Sequence, residues 1–177
     1  RNFFFRTFLL SMMLLPAILV SPRAAADQVS DFERIHAAIS SGNMLEAQGR
    51  LEAFLDEHPS GRRSIRALYL LGQLHFRRAA YAEAAKTFSL LLNEHPDWEH
   101  SDRTLYGLSL SYIGLLDYAN ASRLLEAFLN SYDQSGLRPN ALYWLGESLY
   151  RRGDYSGALK VFDEFLRLYP DHGLSEY

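Results

Sequence analysis

The sequence predicts an all-α fold, a right-handed stack of helix pairs with one concave face. Two observations predict it. Residues recur at a fixed step of 37: Ala47, Ala84, Ala121 and Ala158; Met44, Tyr81, Tyr118 and Tyr155; Leu51, Phe88, Leu125 and Phe162; Leu55, Leu92, Leu129 and Leu166. A constant period of this size marks a stacked repeat, in which each unit buries its apolar face on its neighbours. Within each copy, apolar residues also fall at steps of three and four, while no stretch alternates as a strand does.

Four copies are expected, at residues 28–59, 64–96, 102–132 and 139–170. In the first, Gln28 to Ser40 forms one helix with Phe32, Ile35 and Ile39 inward. Ser41-Gly42-Asn43 turns the chain, and Met44 to Glu57 returns it with Leu45, Leu51, Phe54 and Leu55 apolar. Ser64 to Arg78 and Tyr81 to Glu94 form the second pair, and Asp102 to Ile113 and Asp117 to Ser131 the third. The fourth runs from Asn140, turns at Arg152-Gly153-Asp154 and closes at Pro170. Its second helix puts Tyr155, Ala158, Leu159, Phe162, Leu166 and Tyr169 on one face.

Single columns carry local instructions. Alanine at 47, 84, 121 and 158 lets two helices approach closely. Asn43, Asp117 and Asp154 stand where a side-chain oxygen caps a helix, and Ala80 breaks that column. Pro59, Pro96 and Pro170 close the second helices, with Asp133 in the third copy, because the residue before proline is pushed out of the helical region. Tyr177 stands 37 residues after Asn140, so a fifth first helix would begin there. The expectation is an array that continues, with apolar side chains of the last helix left exposed.

These columns resemble the tetratricopeptide repeat, whose signature is a large residue, Leu-Gly, an aromatic, then Ala-x-x-x-Phe and a closing proline. The fourth copy supplies Leu142, Leu145-Gly146, Leu149, Ala158, Phe162 and Pro170. The second supplies Leu68, Leu71-Gly72, His75, Ala84, Phe88 and Pro96. The third is looser, with Leu108-Ser109 and Leu125, and the first has Arg34-Ile35 in place of Leu-Gly. The resemblance covers Gln28 to Pro170. It departs from the family in its longer period, and in Phe54, Leu91, Phe128 and Phe165, where the common repeat has alanine. Long-period copies ending in Tyr-Pro or His-Pro resemble those of bacterial envelope proteins. Examples are the coordinator associated with the Tol–Pal system and the lipoprotein subunit of the barrel-assembly machinery. The lack of cysteine speaks against the lipoprotein, and the lack of a preceding coiled coil against a close copy of the coordinator.

The N-terminus gives an address. Arg1 and Arg6 precede an apolar run from Phe8 to Val20, broken only by Ser11 and Pro16, and Ala24-Ala25-Ala26 offers small residues for cleavage. This is the layout of a secretory signal peptide over residues 1–26, leaving a repeat domain over 27–177. The alternative is an uncleaved inner-membrane anchor, although this apolar run is shorter than the ~20 residues of a spanning helix. The expected location is the periplasm.

Composition narrows the chemistry. The 177 residues are 48% hydrophobic and 22% charged, an ordinary balance for one globular domain. A net charge of −3 gives no general field for nucleic acid, and the arginine pairs 77-78 and 151-152 suit helix C-termini. No cysteine is present, so there is no disulfide and no zinc-thiolate site. His95, Asp97, Glu99, His100 and Asp102 cluster in one loop without metal-ligand spacing. No nucleophile elbow, phosphate loop or cooperating carboxylate pair is present, so neither enzyme activity nor a cofactor is expected.

The candidate site is a column of aromatics on the first helices. Tyr69, Tyr106 and Tyr143 stand 37 apart and Phe32 extends the column. Further along lie Gln73 and Glu147, then Phe76, Ile113 and Tyr150, then Arg77 and Arg151. The resemblance implies that first helices line a concave groove and that these columns meet a protein or peptide partner. Tyrosine suits that role through its area and hydroxyl, and arginine through its pairing with carboxylates. The expected function is a non-enzymatic interaction scaffold, in envelope assembly or cell division. The alternative is the repeat region of a larger envelope enzyme or exporter.

Overall fold

The computed structural model describes residues 22–174, with side chains from Ser30 onward. Eight helices occur among them: α1 Pro22–Ser40, α2 Met44–Glu57, α3 Arg62–Arg77, α4 Tyr81–Glu94, α5 Ser101–Gly114, α6 Tyr118–Ser131, α7 Arg138–Arg151 and α8 Tyr155–Leu168. Each helix packs against the next in sequence, and α3 also reaches α5. That second contact places the first helices of the pairs on the inner side of the stack. The apolar run Phe8–Val20 lies outside the described residues. The expected cleavage run Ala24–Ala26 falls in α1, which begins earlier than Gln28 because a leading proline and three alanines favour helix. Among the described residues no helix is long and apolar enough to cross a membrane.

The turn inside each pair is one device used four times. The residue after each first helix, one on from its cap, is left-handed: Gly42 at φ 77°, Ala79 at 58°, Leu116 at 60° and Gly153 at 84°. The next backbone N–H then reaches back five residues: Asn43 to Ala38 O at 3.0 Å, Ala80 to His75 O at 2.9 Å, Asp117 to Tyr112 O at 2.9 Å and Asp154 to Leu149 O at 3.0 Å. This is the Schellman arrangement, which satisfies carbonyls the helix leaves open. Immediately afterwards the second helix is capped. Asn43, Asp117 and Asp154 accept from Glu46 N, Asn120 N and Gly157 N at 3.3, 3.1 and 2.9 Å. Ala80 provides no such bond.

The second helices end alike too. His58, His95, Tyr132 and Tyr169 hold φ between −137° and −129° and ψ between 55° and 73°. Tyr132 does so although Asp133, not proline, follows it. Proline therefore reinforces a stop that the packing already imposes.

Inside the stack, Ala47, Ala84, Ala121 and Ala158 are buried, as close helix approach requires. So is the column Phe54, Leu91, Phe128 and Phe165, which fills the space between successive pairs. The Leu-Gly column has a steric reason. A Cβ on Gly72 would stand 2.6 Å from the Phe88 ring, and one on Gly146 would stand 2.6 Å from Phe162. In the third copy a fully buried Ser109 occupies that column and Leu125, without a ring, faces it. Two interfaces are also pinned across 30 residues of chain. Arg78 donates to Gln48, and Arg152 Nη1 donates to Ser122 Oγ at 2.8 Å. The equivalent middle positions are Leu115 and Ala85.

Exposure follows from place in the stack, and on α8 it is as expected of a last helix. Leu45 is 70% exposed, because it lies on the outer side of α2. On α8, Ala158 and Phe162 turn inward with Phe165, whereas Tyr155, Leu159 and Leu166 are exposed at 65%, 63% and 47%. The equivalent columns of α4 and α6 are covered by α5 and α7; no helix among the described residues covers α8.

Candidate functional site

The structure sorts the expected site residues into three groups. Tyr69, Gln73, Arg77 and Tyr106 line one cavity of about 630 Å³. Helix α3 presents the first three along a single face at steps of four, and α5 presents Tyr106 opposite. Phe76, placed in the same set of columns by its spacing, lines the cavity too, whereas sequence reasoning missed Arg103, Leu110 and the turn Ser135-Gly136-Leu137. Leu110 stands 37 residues after Gln73, in a groove column that its apolar side chain does not mark, and the turn belongs to a linker far away in sequence.

Tyr143, Glu147, Tyr150 and Arg151 lie outside that cavity, on α7. Tyr143 packs on Trp144, Phe162 and Phe165 with ring centroids 5.5, 6.1 and 6.4 Å apart. Glu147 and Arg151 pair with each other at 2.7 Å, one helical turn apart. Tyr150 is exposed and meets Tyr155 edge-on at 5.4 Å. Phe32 is a correction: it is only 8% exposed and packs edge-on against Phe54 at 5.0 Å. The first copy begins the stack, and its aromatic closes the α1–α2–α3 core rather than the groove.

The two cavity tyrosines are half-buried for different reasons. Tyr69 packs on Trp98 at 5.3 Å and Phe88 at 6.3 Å, and burial raises its pKa, with Arg103 opposing. Tyr106 packs on Phe128 at 6.0 Å and accepts a hydrogen bond from Trp144. Burial pushes its pKa up to about 12 despite that bond, so the phenol is neutral at any physiological pH. Tyr106 is therefore wall and packing at once, a role the column spacing alone could not separate.

Charge is distributed unevenly. Asp102 accepts from Ser135 Oγ at 2.6 Å and from the Arg103 backbone N–H at 2.7 Å. Arg77 and Arg103 make no side-chain hydrogen bond or ion pair among the described residues. The His95–Asp102 loop does not converge on a metal-sized centre. Asp31, Glu57 and His58 do converge, but Asp31 is already paired with Arg34 at 3.1 Å.

The sequence profile of the tetratricopeptide repeat matches residues 32–97 and 106–172. The chain belongs to the tetratricopeptide repeat family. Solved structures of that family share its fold at low identity. A tetratricopeptide repeat protein from Parabacteroides merdae superposes with a TM-score of 0.72 at 18% identity, over 84% of this chain and 56% of its own. The chain thus spans little more than half of that relative. MamA from Desulfovibrio magneticus RS-1 gives 0.71 at 17% identity, over 82% of this chain and 77% of its own. YrrB, described as a TPR protein with an unusual peptide-binding site, gives 0.68 at 14%, over 84% and 72%. No curated protein sequence matches the chain. In this tetratricopeptide repeat chain, the cavity is a groove on the first-helix side, between the second and third repeats.

Proposed function

We propose that the chain is a non-catalytic scaffold that holds a segment of another protein against the first-helix face, with Tyr69, Gln73, Arg77 and Tyr106 as the contact residues. One observation carries this: a 630 Å³ cavity with an apolar floor and polar rim, built from two repeats of a repeat protein. The peptide site named for YrrB supports the same use of this fold. Tyr143, Glu147, Tyr150 and Arg151 extend the surface onto α7, where a longer partner segment reaches them. The basic and apolar N-terminus supports work in the bacterial envelope after export, with envelope assembly or cell division as the setting.

The test is a photo-crosslinker in place of exposed Gln73 in the full chain, expressed in a Gram-negative host. A discrete adduct at Gln73, and none at outward-facing Lys86, is the expected result. Adducts of equal yield at both positions would sink the groove assignment. Fractionation of the same cells tests the address: the protein is expected in the periplasmic or inner-membrane fraction, and a cytoplasmic pool alone would refute it.

A further inference from the structure

We infer that the cavity between α3, α5 and the 135–137 turn takes an acidic segment of a partner protein, with one apolar side chain inserted among Tyr69, Phe76, Tyr106 and Leu110. This rests on the groove function proposed above and adds the chemistry of its occupant.

The argument comes from comparing equivalent helices. On α7 the groove-side arginine, Arg151, is held by Glu147 at 2.7 Å. The same two columns on α3 hold Arg77 and Gln73. Gln73 brings no charge, so the Arg77 guanidinium has no carboxylate on its own helix. Arg103, across the cavity on α5, is likewise without a side-chain partner among the described residues. The one carboxylate in the lining, Asp102, is occupied by Ser135 Oγ and by a backbone N–H. Two open guanidinium forks therefore flank an apolar floor, and a carboxylate is the group such a fork binds through two parallel hydrogen bonds. Apolar side chain and acid together match the site; a basic or uncharged polar segment leaves both arginines unanswered. Residues 1–21 of this chain hold Arg1 and Arg6 and no Asp or Glu, so that segment does not complement the site.

A random peptide library displayed on phage, selected on the immobilised full chain, tests this. The expected result is enrichment of peptides carrying Asp or Glu beside one apolar residue. The best of them, made with a fluorescent label, should bind about tenfold more weakly to Arg77→Gln and to Arg103→Gln, a loss set by one charge-assisted bond each. Its Asn/Gln counterpart should bind the native chain with a similar loss, and added salt should weaken the acidic peptide most. Circular dichroism confirms that the exposed substitutions leave the fold intact. Enrichment of neutral or basic peptides overturns the acidic preference, as does an acidic peptide indifferent to both substitutions. The groove function survives either result if those peptides crosslink at Gln73. No enrichment over blank resin overturns both.

Discussion

Replacing Gly72 by alanine tests the packing rule that sets the repeat. A Cβ there would lie 2.6, 2.7 and 3.0 Å from three carbons of the Phe88 ring. The ring has little freedom to retreat: it is 2% exposed, and on its other side a Cβ at Gly107 would already stand 3.0 Å from it. Overpacking of this kind costs about 1–3 kcal/mol, and the confined ring argues for the upper half. Against that, alanine gains about 1 kcal/mol over glycine inside a helix. The net expectation for Gly72→Ala is a loss of ~1–2 kcal/mol, read by urea unfolding of the full chain followed by far-UV circular dichroism. The third repeat shows the remedy, since it places Ser109 against Leu125. Gly72→Ser and Phe88→Leu should each destabilise, the second by about 1–2 kcal/mol through the space it leaves. The double variant recreates the third repeat's pair and should cost less than the sum of the two, with a coupling of about 1 kcal/mol or more. Strict additivity, or a neutral Gly72→Ala, would refute the claim that ring and glycine are chosen together.

Other consequences are as direct. Leu116→Gly should stabilise the chain by up to about 1 kcal/mol, because a left-handed leucine costs ~1–2 kcal/mol and its side chain is exposed; a loss of stability in the same unfolding assay would show that the side chain packs. Ala121→Leu should destabilise by roughly 1–3 kcal/mol, since Ala121 is fully buried between α5 and α6; an unchanged midpoint would mean that this column tolerates separation of the helices. Acid should weaken the fold through His75. Burial, the largest cause, lowers its pKa below the usual 6.5, with Arg78 assisting and Glu52 and Glu83 opposing. Its folded pKa thus lies below its unfolded one, so its contribution is complete above pH 6.5 and is lost as pH falls through the unfolded and then the folded value. His75→Leu, copying Leu149 of the fourth repeat, should flatten the stability profile on acidification; an unchanged profile would show that another group sets it.

Helices and caps were legible because each depends on neighbours in sequence. The step of 37 aligned Asn43, Asp117 and Asp154, and those side chains do cap. The turn at Gly42 and Gly153 was readable from glycine. The identical turn at Ala79 and Leu116 was not, because nothing in alanine or leucine signals a left-handed residue. There the packing of two well-formed helices overrides local preference, which is why the turn geometry is constant while its residue changes.

The groove was legible only in part, for a different reason. Spacing put Tyr69, Gln73 and Arg77 on one face, and that face does line the cavity. Periodicity treats equivalent positions as equal, however, and a finite stack makes them unequal. Phe32 belongs to the first pair and is drawn into its core. Tyr143 packs into the last pair, and the arginine beyond it is neutralised by Glu147. Among the described residues, glutamine, glycine and a linker turn coincide between the second and third repeats: Gln73 gives Arg77 no carboxylate, Gly107 leaves space, and the 135–137 turn closes one side. What distinguishes a site in a repeat protein is where its columns depart from the repeat. Arg77 therefore marks this one better than the tyrosines, because among the described residues its column-mate Arg151 is paired and it is not.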